Sequence, residues 1–156
     1  MLTAGSIEIT CPLGTRYQGR VGETERENSD VTVKRFPLCV PQPIPATGFS
    51  GQVVLTRYLT PTGSMPYEPA SCPIQNPVVA HVEQGRITGF EGEDPDVSAI
   101  RAHYDTVAGQ FGIEPNVVHS FHAGIHPGCA HLEHMDEDPD RWSNTIFGNP
   151  HFLHFH

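Results

Sequence analysis

Prolines and glycines set the main limit on what this chain can fold into. There are 15 of each among 156 residues, and they are spread along the sequence without a period. Both residue types favour turns, because proline lacks a backbone donor and glycine adopts conformations closed to other residues. The distribution predicts many turns and short strands rather than a disordered tract. We expect extended chain from Pro37 to Pro45, unsuited to a central strand, and a turn-rich connection from Thr60 to Pro77.

Alternation of apolar and polar residues predicts the strands. In the first of them, Ile7 and Ile9 fall on one face, because successive side chains point to opposite sides of a strand. The pair Gln84-Gly85 separates two such segments and predicts a hairpin. The predicted strands are Ser6–Thr10, Val31–Phe36, Gln52–Tyr58, Val78–Glu83, Arg86–Phe90, Val117–His122, Asn144–Gly148 and Phe152–His156.

One amphipathic helix is predicted over about residues 95–111. Its apolar residues recur at helical spacing and form one stripe: Val97, Ile100, Tyr104, Val107 and Phe111. Asp94 suits the N-cap, Pro95 the first helical position and Gly112 the end. The whole pattern predicts one α+β domain over residues 1–156, mainly antiparallel β-sheet with this one sizeable helix.

Charge and cysteine usage exclude several classes of protein. The formal net charge is −9, and without a basic patch the chain is not expected to bind nucleic acid. It has no apolar run long enough for a membrane span and no signal-peptide pattern at its start. The four cysteines are widely spaced with no Cys-x-x-Cys pair, which excludes a zinc ribbon and favours free thiols. We therefore expect a cytoplasmic protein.

Histidines are concentrated in the last quarter of the chain, residues 117–156. Eight of the ten lie there: His119, His122, His126, His131, His134, His151, His154 and His156. Histidine is the commonest metal ligand, and its free pKa suits acid–base work near neutral pH. This segment is therefore predicted to hold a metal site, with the rest of the chain as its scaffold.

Strand geometry selects three metal ligands from this set. His154 and His156 are two residues apart in a predicted strand, so their side chains project from the same face. His122 ends another apolar strand, close to Gly124, where the backbone of another segment can approach. Three imidazoles with open positions suit one divalent ion, Fe(II), Zn(II) or Mn(II). For each histidine, the competing interpretation is an ordinary exposed side chain.

Three further residues are candidates for acid–base catalysis or substrate positioning. They are His119, His126 and Glu133. A neutral imidazole can accept a proton at pH 7, and a carboxylate near a metal can do the same.

Several motifs resemble the C-terminal part of the aminopeptidase T superfamily. They are the segment Val78–Gly92, the helix after it, Phe121–Gly128, and Phe147–His156, whose Gly148-Asn149-Pro150 turn is similar to a Gly-x-Asn-Pro turn. That group includes metalloaminopeptidases and the non-haem iron enzyme 2,5-dihydroxypyridine 5,6-dioxygenase. The resemblance implies a metal-dependent enzyme. It also implies that an N-terminal α/β domain found in such proteins is missing here.

Two departures from the aminopeptidase pattern favour a single metal ion. Thr15 follows Pro12-Leu13-Gly14, where the peptidases carry an acidic ligand, and His156 stands where they carry Asp. We therefore expect a mononuclear metal enzyme acting on a small polar or aromatic substrate, with ring-cleaving dioxygenase as the leading hypothesis. A metal-dependent hydrolase and a non-catalytic scaffold subunit are the alternatives. A β-rich piece lacking a covering domain is also expected to form a homo-oligomer or to bind a partner chain.

Overall fold

The structure is a computed structural model that describes residues 4–23, 43–61, 67–129, 136–137, 142, 145 and 148–156. The strands are β1 (Ile7–Thr10), β2 (Arg16–Gly19), β3 (Ile44–Pro45), β4 (Phe49–Leu59), β5 (Cys72–Glu83), β6 (Arg86–Glu91), β7 (Ser120–Ala123) and β8 (Leu153–Phe155). The helix α1 spans Asp94–Phe111. The six pairings between these described strands are all antiparallel, and with the helix they confirm the predicted α+β class.

The strands form two sheets. A five-stranded sheet has the order β1-β2-β4-β5-β6, and a three-stranded sheet has the order β3-β7-β8. The long strands β4 and β5 form the middle of the first sheet, and β5 and β6 are joined at the predicted Gln84-Gly85 turn. None of the described helices is long and apolar enough to cross a membrane.

Helix α1 packs against the five-stranded sheet through its apolar stripe. Ile100 is fully buried against Ile74 and Val78, and Tyr104 packs at the side of this cluster with Phe90. The predicted stop is confirmed, because Gly112 adopts the left-handed conformation with φ of 64° and its N–H donates to the Ala108 carbonyl.

The predicted cap of α1 is wrong. Glu93 occupies the N-cap position without a side-chain hydrogen bond, and Asp94 is already helical. Another carboxylate secures this end instead. Asp96 accepts hydrogen bonds from the backbone N–H groups of Gln75 and Asn76 at 2.8 and 3.1 Å, so it ties the first turn to β5. These bonds favour the charged form, and the pKa of Asp96 is lowered.

An aromatic cluster joins the two sheets. Tyr17 on β2 and Phe49 on β4 come from the five-stranded sheet, whereas Phe121 and Phe155 come from the three-stranded sheet. The ring centroids of Phe49 and Phe121 are 4.8 Å apart, and those of Tyr17 and Phe155 are 5.4 Å apart. Tyr17, Phe49 and Phe121 have no exposed surface. This cluster therefore fixes how β7 and β8 lie on the rest of the domain.

Strand β5 begins earlier than predicted, inside the proline-rich connection. It starts at Cys72 and contains Pro73 and Pro77. Strand β6 pairs with β5 only from Val79 onward. At both prolines, one side of β5 therefore has no neighbouring strand, so the backbone N–H that proline lacks is not needed there. The same rule accounts for Pro45, which forms part of β3 at the edge of its sheet. The rest of the predicted segment, before residue 43, lies outside the described residues.

Other strand predictions had mixed outcomes. The strands β2 and β3 were not predicted, because each is too short to show an alternating pattern. Of the predicted strand Asn144–Gly148, only Thr145 and Gly148 are described, and neither is in a strand. The predicted strand Val31–Phe36 lies outside the described residues.

Candidate metal centre

The antiparallel pairing of β7 and β8 brings two of the predicted metal ligands together. His122 lies directly opposite His154, with Phe121 opposite Phe155 on one side and Ala123 opposite Leu153 on the other. Since side chains alternate along both strands, Phe121 and Phe155 point into the aromatic cluster and the two histidines project from the other face. The aromatic residues thus determine which face carries the imidazoles.

His156 joins this pair through the continuation of the same ladder. Its backbone N–H donates to the Ser120 carbonyl at 2.8 Å, and its carbonyl accepts from the His119 N–H at 2.6 Å. The His122 ring is stacked with both others, at centroid distances of 5.0 Å to His154 and 4.8 Å to His156. We call His122, His154 and His156 the histidine cluster.

Burial disfavours the charged form of two rings of the histidine cluster, His122 and His156. His122 is only 4% exposed. Its pKa is lowered to about 4, first by desolvation and then by the charges that His154 and His156 would carry. Burial also lowers the pKa of His156. Metal ions bind neutral imidazole, so a lowered pKa of His122 and His156 favours the form of these two rings that can bind one.

The rings do not converge on one point as they stand. Each of the two stacked pairs has an interplanar angle of 22°, so the ring planes are nearly parallel. In the described part of the chain, no group of three or more His, Cys, Asp or Glu side chains is arranged to hold a metal ion. Coordination of one ion by the histidine cluster therefore requires the imidazole rings to turn about their side-chain torsions.

His126 lies on the loop that follows β7. The Gly128 backbone N–H donates to its Nδ1 at 2.9 Å, and the Cys129 N–H donates to its carbonyl at 3.0 Å. A neutral ring that accepts at Nδ1 carries its proton on Nε2. The ring is therefore held as an Nε2–H donor, a suitable state for a group that donates to a substrate oxygen.

The same loop contacts the segment that leads into β8. The His126 N–H donates to the Gly148 carbonyl at 2.9 Å. A Cβ on Gly124 would collide with the backbone of Gly148 and Asn149, so only glycine allows this approach. His126 is thus held between the end of β7 and the segment that leads into β8, the two strands that carry the histidine cluster.

The remaining predicted site residues lie elsewhere or cannot be placed. The His119 side chain is exposed, and its residue contributes backbone hydrogen bonds to His156 and Ala46 instead. Glu133 lies outside the described residues, as do His131 and His134.

Asn149 is a buried polar residue that was not predicted as a site residue. Its side chain has no exposed surface, and its Oδ1 accepts from the His151 N–H at 2.9 Å. The Gly148-Asn149-Pro150 sequence predicts a turn at this position, and polar residues in turns usually lie at the surface. Its burial depends on the packing against Gly124, which no local pattern reveals.

The neutral state of His122 makes the stability of the metal-free protein depend on pH. The pKa falls from 6.5 to about 4 on folding, so the unfolded chain binds more protons between these values. Stability is then fully present above pH 6.5 and decreases as the pH falls toward 4, by roughly 3 kcal/mol for this group. Urea titrations in a chelator at several pH values measure this. His122→Gln removes the titrating group, and a slope unchanged from wild type would contradict the assignment.

We compared the chain with protein-family models, curated proteins and solved structures. No protein-family model, no curated protein and no solved structure matches the chain.

Proposed function

We propose that the histidine cluster binds one divalent metal ion and that the protein is a mononuclear metal-dependent enzyme. The observation that carries this proposal is the meeting of three imidazoles from two paired strands on one sheet face, with the central ring buried and neutral. A mononuclear site needs several imidazoles close together on one face, and the pairing of β7 and β8 supplies three. Three protein ligands also leave open positions for substrate.

The proposed reaction class is ring cleavage of a small polar or aromatic substrate by a non-haem iron oxygenase. Imidazole ligands suit iron and zinc alike. The sequence resembles the aminopeptidase T superfamily, whose dioxygenase is an iron enzyme. Position 15 is Thr and position 156 is His, where the peptidases of that superfamily carry acidic ligands. Both points favour one iron ion over a pair of metal ions bridged by carboxylates. Hydrolysis at zinc is the alternative that the same ligands would support.

In the proposed enzyme, some residues would bind the metal ion and others would orient the substrate or transfer a proton. When bound, the metal supplies a Lewis acid that polarises an oxygen-bearing ligand. His126, held as an Nε2–H donor by Gly128, is the proposed group for orienting a substrate oxygen or moving a proton. His119 is exposed, which makes it the weaker of the two candidates.

Elemental analysis of the protein purified without added metal tests the proposal. We expect close to one equivalent of Fe, Zn or Mn per chain, and anaerobic reconstitution with Fe(II) or Zn(II) should saturate at one. Substrate-free binding is measured directly, so the test needs no knowledge of the reaction. Metal-free protein that also fails to take up either ion while folded would favour the non-catalytic scaffold.

Cytoplasmic location and homo-oligomerisation, or a partner chain that supplies a further domain, remain predictions.

A further inference from the structure

Only the oxygen of the Asn149 side-chain amide has a hydrogen-bond partner among the described residues. Oδ1 accepts from the His151 N–H, whereas Nδ2 is shielded from solvent and has no hydrogen-bond acceptor among the described residues. A backbone N–H can only donate, so this bond fixes which end of the amide is oxygen. Buried donors in native proteins are nearly always satisfied. The two Nδ2 hydrogens are therefore available to an acceptor carried by a ligand.

The backbone next to this amide lies on the same side of the sheet as the histidine cluster. Gly124 follows His122 by two residues, so the two positions share a face of β7 and its continuation. A Cβ on Gly124 would meet Gly148 and Asn149, which places their backbone over that face. Two residues along a strand span about 7 Å. The backbone of Asn149 is therefore placed beside the face that carries the His122 ring, about two strand positions along from it.

We infer that Asn149 is a ligand-binding residue of the proposed metal site, donating from Nδ2 to an oxygen of the bound small molecule. The inference rests on the proposed function. The ligand class is a small molecule with a carboxylate, phenolate or carbonyl oxygen. An amide donor binds such an oxygen without a charge of its own, and the His151 N–H holds the amide in one orientation. Asn149 thereby selects how the ligand is turned, while the metal holds it in place.

Oxalate binding to the Co(II)-loaded protein tests the inference, with metal content measured first in every variant. Asn149→Asp keeps an oxygen for the His151 N–H and removes the donor. Asn149→Ser replaces the amide with a hydroxyl that is one bond shorter, so it removes the Nδ2 donor and adds no charge. Both should bind one Co(II) as wild type does and bind oxalate about tenfold or more weakly, the loss typical of one hydrogen bond to a charged group. Asn116→Asp, at an exposed asparagine, is the matched control and should bind oxalate as wild type does.

A measurement on the unaltered protein covers the case in which neither variant folds. In Zn(II)-loaded protein labelled with 15N-asparagine, oxalate should shift the side-chain NH2 signals of Asn149 downfield. Unchanged oxalate affinity in metal-loaded Asn149→Asp and Asn149→Ser overturns the inference alone, as does an Asn149 NH2 signal that oxalate leaves in place. A wild-type protein that binds no Co(II) or Zn(II) overturns the proposed metal site, and this inference with it.

Discussion

His154→Ala and His122→Ala are each expected to lower metal affinity by at least about 100-fold. Loss of a group that only supports a ligand already costs 10- to 100-fold, so loss of a ligand itself should cost no less. The fold should persist, because both imidazoles project away from the aromatic cluster that Phe121 and Phe155 build on the opposite face. Metal is first removed from the protein with a chelator. Calorimetric titration with Zn(II) then measures the affinity, and circular dichroism checks that the variant is folded.

His81→Ala is the matched control for these variants. His81 is also a strand histidine, on β5, but it is partly exposed and contacts Glu91 at 3.4 Å. Its removal should leave the metal stoichiometry and affinity unchanged. Wild-type affinity in folded His154→Ala or His122→Ala would exclude that residue from the ligand set. A loss of affinity in His81→Ala as large as in the other two would show that the measured binding is scattered over surface histidines.

Phe121→Ala is expected to lower the free energy of unfolding by about 3–5 kcal/mol, the usual range for a buried phenylalanine. The ring has no exposed surface and contacts Phe49, Tyr17 and Phe155, with centroid distances of 4.8, 5.7 and 5.9 Å. It therefore links the two sheets, and its loss leaves a cavity between them. Typical domains have only 5–15 kcal/mol of stability in total, so part of the variant should be unfolded at 37 °C.

Urea unfolding followed by tryptophan fluorescence measures this loss, since Trp142 is buried beside Tyr58. Ile113→Ala serves as the control, because Ile113 is 55% exposed and its truncation should change stability by less than about 0.5 kcal/mol. If Phe121→Ala cost no more than the control, the aromatic cluster would not be what holds the three-stranded sheet in place.

Local patterns were enough to predict the longer elements. The helical stripe through Ile100, the stop at Gly112 and the Gln84-Gly85 hairpin all depend on residues close in sequence, and the structure contains each of them. Propensity and periodicity act within one element, so they can be recognised before its partners are known. The asparagine that closes the turn before β8 was visible only as a turn residue.

Pairing between distant segments decided the rest. Alternation predicted that His154 and His156 share a face, but a pattern in one strand cannot say which other strand lies beside it. The register that sets His122 against His154 follows from the burial of Phe121 and Phe155 in one aromatic cluster with Tyr17 and Phe49. A shift of one residue would turn the imidazoles into that core.

Tertiary packing also determined which polar groups are withdrawn from water. The low pKa of His122 follows first from its burial, and Asn149 is buried as well; neither property can be read from the neighbouring residues in sequence. The sequence by itself determined that eight of the ten histidines lie within residues 117–156. Only the folded arrangement decided which of them are buried, neutral and close together, because desolvation depends on long-range contacts.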